Sequence, residues 1–167
     1  IIKVKWLGNS AILIEDDKSI VVDPSFKMET DITADIVLIT HEHDDHINPE
    51  DLEAVSNDET KVYAPQSVYD KFDIEGEVAA AGDLIEEEIK VLDVDCYNSE
   101  GSVAYFYKGI YQTADAADYP DPGENIKLLF TACFNDSFSD YLEKVIKLNP
   151  EMAVPYHYDP EERQELL

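Results

Sequence analysis

A chain of 167 residues with 44% hydrophobic side chains is long and apolar enough to fold around a core, so its 30% charged content does not mark it as disordered. Its net charge of −26 repels a phosphate backbone and an anionic bilayer alike, which argues against nucleic acid or a membrane surface as partner. No apolar run approaches the length of a membrane span, and residues 1–6 alternate like a strand and lack the order of a signal peptide, so a cytoplasmic protein in one domain over residues 1–167 is expected.

The first quarter reads as short strands over residues 2–7, 11–15 and 19–22. Asp16-Asp17-Lys18 turns the second into the third, and Asp23-Pro24 stops the third. Residues 36–40, Ile-Val-Leu-Ile-Thr, form a β-branched apolar run that suits a buried strand. A loop of six residues, His41-Glu42-His43-Asp44-Asp45-His46, separates it from a helix start. There Asn48 suits the N-cap, Pro49 the first turn, and Glu50 and Asp51 the positive end of the dipole. A strand over residues 61–64 and a short helix over 66–72 follow, then a turn at Gly82-Asp83 and strands over 89–97, 102–107 and 109–113. A loop rich in Asp, Pro and Gly spans 114–125 before an apolar strand over 126–132. Residues 137–148 are amphipathic, with Phe138, Tyr141, Leu142, Val145 and Leu148 on one face, and Asn149-Pro150 ends that helix. A last strand over 152–155 leads into Tyr156-His157-Tyr158. Strands first, then strands alternating with helices, point to a layered α/β protein whose ligands gather at strand ends. Cys96 and Cys133 form no CxxC pair and sit in apolar runs, so both read as buried, reduced thiols.

Three of the chain's four histidines fall within the HxHxDH run. Imidazoles and carboxylates are the ligand set of zinc, manganese and iron. Alternate residues of an extended loop point the same way, so His41 and His43 can share one ion, while Asp45 and His46 on the following turn can reach a second. Asp115 and His157 each stand just after a predicted strand, where a ligand belongs in such a sheet.

The run Thr40-His41-Glu42-His43-Asp44-Asp45-His46 resembles the signature of the metallo-β-lactamase superfamily. Weaker landmarks in the same order resemble its branch of small metal-dependent hydrolases similar to L-ascorbate-6-phosphate lactonase. These are Trp6 to Ser10, Asp23-Pro24, Ala64-Pro65, Gly82-Asp83, Cys96-Tyr97-Asn98, Tyr111 to Asp115 and Val154 to His157. The resemblance implies a four-layer αβ/βα sandwich in a compact single-domain version. It implies that His41 and His43 hold a first ion, that Asp45, His46 and His157 hold a second, and that Asp115 bridges them. It also implies a third histidine for the first ion, near the strand ending at Asn98, and this chain has none left to supply. Glu100, Cys96 and Asn98 are the candidates for that place, Glu100 the best placed by chemistry.

The function implied is hydrolysis of a small ester, lactone, amide or phosphoester by a metal-activated water, with Zn2+ expected, Mn2+ or Fe2+ as alternatives, and Asp45 or Asp115 orienting the water or taking its proton. A fold-retaining protein that binds or senses metal without chemistry is the rival reading, supported by the absent histidine. A nuclease is opposed by the charge. A di-iron oxygen-reducing protein is opposed by His43, where that branch has glutamate.

Overall fold

A computed structural model describes residues 1–157; Tyr158 and the rest of the expected domain, residues 158–167, lie outside the described residues. Two six-stranded sheets follow one another along the chain. The first comprises β1 (Lys3–Trp6), β2 (Ile12–Glu15), β3 (Ser19–Val22), β4 (Ile36–Leu38), β5 (Lys61–Ala64) and β6 (Glu77–Val78), side by side in chain order. The second comprises β7 (Leu84–Ile85), β8 (Ile89–Val94), β9 (Ser102–Tyr107), β10 (Ile110–Gln112), β11 (Leu128–Ala132) and β12 (Ala153–Tyr156), again in chain order. Both begin as antiparallel meanders and end as parallel sheet, the change falling at β3–β4 in one and β10–β11 in the other. The parallel halves need crossovers; the helices α1 (Pro49–Val55), α2 (Gln66–Lys71) and α3 (Phe138–Leu148) supply those from β4 to β5, β5 to β6 and β11 to β12, and loops supply those from β3 to β4 and β10 to β11.

The layering follows from residue alternation. Ile12 and Ile14, Ile20 and Val22, and Ile36 and Leu38 face a core shared with Val91, Val103, Tyr105, Tyr107, Phe130 and Tyr156 of the second sheet. The intervening Leu13, Val21, Val37 and Ile39 point the other way, onto Leu52 and Val55 of α1 and Val68 of α2. On the outer face of the second sheet, Val94, Ala104, Phe106, Tyr111 and Leu129 pack with Tyr119, Ile126 and the partly buried Val145 and Leu148. Strands β2, β3 and β4 are thus apolar on both faces, and the result is the expected αβ/βα sandwich.

Local signals act as read. Asn48 caps α1, its Oδ1 accepting from the Glu50 N–H at 2.9 Å with Pro49 in the first turn. Lys108 and Gly109, at φ 48° and 93°, make the two-residue hairpin between β9 and β10, a geometry that favours glycine at the second place. The strands β6 and β7 escaped the sequence reading because two residues carry no alternation. The run expected as a strand over 36–40 pairs only to Leu38, so Ile39 and Thr40 already belong to the loop that carries the histidines.

Candidate metal centre

Three parallel strands, β4, β10 and β12, release the chain at one rim of the sandwich, and the loops after them carry the six predicted side chains. His41 and His46 follow β4 and are fully buried; Asp45 between them is half exposed. Asp115 follows β10, after Ala114 in the left-handed region at φ 53°. His157 follows β12 at φ 68°, its N–H donating to the Asn9 carbonyl at 2.9 Å.

The structure brings all six together. His41 Nε2 lies 3.1 Å from His43 Nδ1 and 3.6 Å from Asp115 Oδ2. His46 Nε2 lies 2.9 Å from His157 Nε2, which is 3.2 Å from Asp45 Oδ2. The Asp115 carboxylate stands between the halves, with Oδ2 toward His41 and Oδ1 3.0 Å from His46 Nε2 and 3.2 Å from His157 Nε2. Ligand-type atoms within 4.8 Å of one another form two groups, His41, His43 and Asp115 in one, Asp45, His46 and His157 in the other. Neither Cys96 nor Glu100 contributes an atom to either group among the described residues.

Behind the histidines stands a network that sequence reading missed. Asp23, fully buried, accepts from Thr40 N–H at 2.8 Å and from the Thr40 hydroxyl at 2.9 Å. Its Oδ2 also lies 2.7 Å from His46 Nδ1 and accepts from Gln112 Nε2 at 3.2 Å. The Thr40 hydroxyl, donating to Asp23, is left to accept from His41 Nδ1 at 2.9 Å. With their Nδ1 atoms so engaged, His41 and His46 turn Nε2 toward the rim, the arrangement by which outer contacts orient metal-binding imidazoles. Gln112 donates to the Tyr156 hydroxyl, which donates to the Ala114 carbonyl and so steadies the turn into Asp115. Asn9 and Ser10 donate to the Asp45 carbonyl from the first β-hairpin's side. The sequence signals for Asp23 were its place at a strand end before Pro24 and the Asp23-Pro24 pair as a family landmark, neither of which assigns it a partner.

The electrostatics fit a cation. Asp115 Oδ1 is buried, and its two imidazole neighbours, though close, are not aligned to donate to it, so it remains an acceptor without a donor. Burial opposes charge on His46, but Asp115 and Asp23 outweigh it and raise its pKa to about 10, so without an ion the site holds a proton there that a bound cation would replace. The His157 contact, against burial, holds Asp45 at about 2. Burial, the charge of His46 and the contacts with His41 and His46 leave Asp115 well below the usual carboxylate range, the last three outweighing the first. Burial, with His46 adding to it, lowers His41 and keeps that imidazole neutral and able to ligate. Nitrogens facing nitrogens at about 3 Å around ionised carboxylates are a donor set for a divalent ion.

Two stacked mixed sheets with helices outside and a His/Asp cluster at the strand ends define a metallohydrolase-type sandwich. The family model of the beta-lactamase superfamily domain matches residues 3–129, and the chain belongs to that superfamily. It is similar to a Nanoarchaeum equitans protein named a metal-dependent hydrolase, 27% identical with 94% of this chain and 84% of the relative covered. A Pyrococcus furiosus protein of the same group is also 27% identical, covering 96% of this chain and 88% of that one. Among solved structures, a protein of Parabacteroides distasonis described as a metal-dependent hydrolase superposes with TM-score 0.80 at 23% identity, over 99% of this chain and 86% of that one. One of Thermotoga maritima, described as a zinc-dependent hydrolase of the metallo-β-lactamase superfamily, gives 0.63 at 19%, over 97% and 78%. His157 lies beyond the matched family segment and reaches the centre through β12.

Proposed function

We propose that this protein is a metal-dependent hydrolase of a small ester, lactone, amide or phosphoester. The observation that carries the reading is the pair of ligand groups with Asp115 between them, its Oδ2 toward His41 and its donorless Oδ1 toward His46 and His157. His41, His43 and Asp115 would hold one divalent ion, and Asp45, His46 and His157, with Asp115 between, a second. Zn2+ suits the donors best, with Mn2+ or Fe2+ as alternatives. A bound ion supplies Lewis acidity to a substrate oxygen and acidifies water toward neutral pH.

The chain's own residues do the rest. Asp45, ionised at neutral pH and half exposed, orients an attacking water and takes its proton at a carboxylate oxygen. Asp115, buried, presents Oδ1 to both His46 and His157 and adds a negative charge between the groups. The second group has more protein ligands than the first and holds its ion more tightly, so His157→Ala removes more metal than His41→Ala at limiting metal.

The test is metal analysis of protein purified without chelators, joined to a screen of activated esters, lactones and phosphodiesters. Turnover should vanish on chelation, return with Zn2+ or Mn2+, and fall by about 10²-fold or more in Asp45→Asn. Turnover that survives chelation or Asp45→Asn overturns the mechanism. The loop after Cys96 contributes no ligand side chain to the first group, so activity is expected to be weak. The same observation supports a second reading, metal binding without turnover, which bound metal with no hydrolysis across the screen would establish.

A further inference from the structure

We propose that Glu42, the residue between the two histidines of the first group, is a positioning residue. It clamps the loop 96–101 so that the Asn98 carbonyl accepts from His43 Nε2, leaving His43 Nδ1 to face the ion. The inference rests on the reading of His43 as a ligand.

Glu42 is an unusual acid for so charged a surface. It is only 6% exposed, and its carboxylate is engaged by neutral donors. Oε1 accepts from the Glu100 N–H at 2.7 Å and Oε2 from the Ser99 hydroxyl at 2.9 Å. Burial raises its pKa, but the donors from the backbone and from Ser99 outweigh burial and keep it below its usual value. Burying a carboxylate is costly unless its oxygens are bonded, and here both bonds come from one loop. Lys71 fixes the same residue from the main-chain side, donating to the Glu42 carbonyl and to Asp44 Oδ1, each at 2.8 Å.

The clamped loop is a tight turn. Ser99 N–H donates to the Cys96 carbonyl at 3.1 Å, and Asn98 sits in the left-handed region at φ 57°. The Ser99 hydroxyl, while donating to Glu42, accepts from Gly101 N–H at 3.1 Å, and Ser67 of α2 donates to the Gly101 carbonyl at 2.8 Å. The turn aims the Asn98 carbonyl at His43 Nε2, 3.2 Å away. A carbonyl only accepts, so His43 carries its proton on Nε2 and its lone pair on Nδ1. That lone pair faces His41 Nε2 at 3.1 Å, which is itself unprotonated because His41 Nδ1 donates to Thr40. Two lone pairs set against each other repel unless a cation lies between them.

The loop that resembles the source of a third histidine therefore acts through its backbone. Of the candidates weighed from sequence, Glu100 and Asn98 serve by main-chain atoms, and Cys96 anchors the turn by its carbonyl.

The experiment compares the parent with Glu42→Ala, Glu42→Gln and Ser99→Ala. Cobalt(II) titration by visible absorption gives the affinity for each ion, and nitrogen-15 correlation spectra of the histidine side chains give the His43 tautomer. In Glu42→Ala the first-ion affinity should fall about 10–100-fold, the second should hold, and His43 should lose its fixed Nε2–H form. Glu42→Gln keeps an acceptor for Glu100 N–H and should restore most of both. If Glu42→Ala fails to fold, Ser99→Ala, which removes one clamp bond from a half-buried loop residue, must still weaken the first ion alone. A folded Glu42→Ala with both affinities within about threefold of the parent and His43 still Nε2–H overturns the proposal. A parent that takes up no divalent ion overturns the metal reading instead, while the His43 tautomer in the ion-free protein still decides whether Glu42 sets it.

Discussion

Asp23 concentrates more of the site's order than any predicted ligand. It is a buried carboxylate whose two oxygens meet Thr40, His46 and Gln112, and removing it strands several buried donors at once. Asp23→Ala should cost about 3–5 kcal/mol, read by urea unfolding in the presence of chelator so that lost metal does not enter. A loss within the range of an ordinary surface substitution would show that the network is dispensable. Cys96 gives a second residue-scale check. Burial, with the negative charge of Asp115 nearby, pushes its thiol up to about 12, whereas Cys133 is only half-buried. A disulfide-exchange reagent at pH 8 should therefore titrate at most one thiol per native chain and both after denaturation. Rapid titration of both in the native protein would contradict the packing around Cys96. That both cysteines sit in apolar runs was readable from sequence; that one abuts the centre was not, because only the sheet brings it beside Asp115.

Helix α3 shows where periodicity stops being informative. Its apolar residues share one face as expected, yet that face is not uniformly buried. Tyr141 is buried and Val145 and Leu148 are partly covered, while Phe138, Leu142 and Ile146 remain exposed. A 3.6-residue period locates an apolar stripe, but what covers it depends on neighbours that the pattern does not describe. The Tyr141 hydroxyl donates to the Asp115 carbonyl at 3.0 Å, so this helix holds the turn that bears a candidate ligand. Tyr141→Phe should cost about 1 kcal/mol and Tyr141→Ala about 3–5 kcal/mol. Leu142→Ser and Ile146→Ser should stay within about 0.5 kcal/mol. Thermal melts of the four variants test this; a large loss at Ile146 would mean that the exposed side of α3 is covered.

At the scale of the molecule, charge governs the response to salt. Thirty-eight acids against twelve lysines and arginines repel one another across the surface. The melting temperature should rise as NaCl increases toward about 0.15 M, where the screening length falls to about 8 Å. A flat or falling profile would mean that local ion pairs outweigh the net field. Gel shifts near that salt should show no binding of DNA or RNA. The four layers were legible through the family resemblance; β2, β3 and β4 are apolar on both faces, so the pattern alone does not say that Ile12, Ile20 and Ile36 meet one core and Leu13, Val21 and Val37 the other. The six clustered side chains were legible because each follows an apolar run. The outer network was not, since Asp23 meets Gln112 across 89 positions and local pattern says nothing of such a pair.

The two ligand groups also differ in when a growing chain can complete them. His41, His43 and Asp115 all lie within the first 115 residues, whereas the other group waits for His157 at the end of β12. At a translation rate of roughly 5–20 residues per second, those sites mature a few seconds apart. In that interval His46 faces the rim without its imidazole neighbour, and the outer edge of β11 has no partner. Ribosome-stalled chains released before residue 153 should therefore capture at most one ion, and loading of the second reports that translation has passed β12.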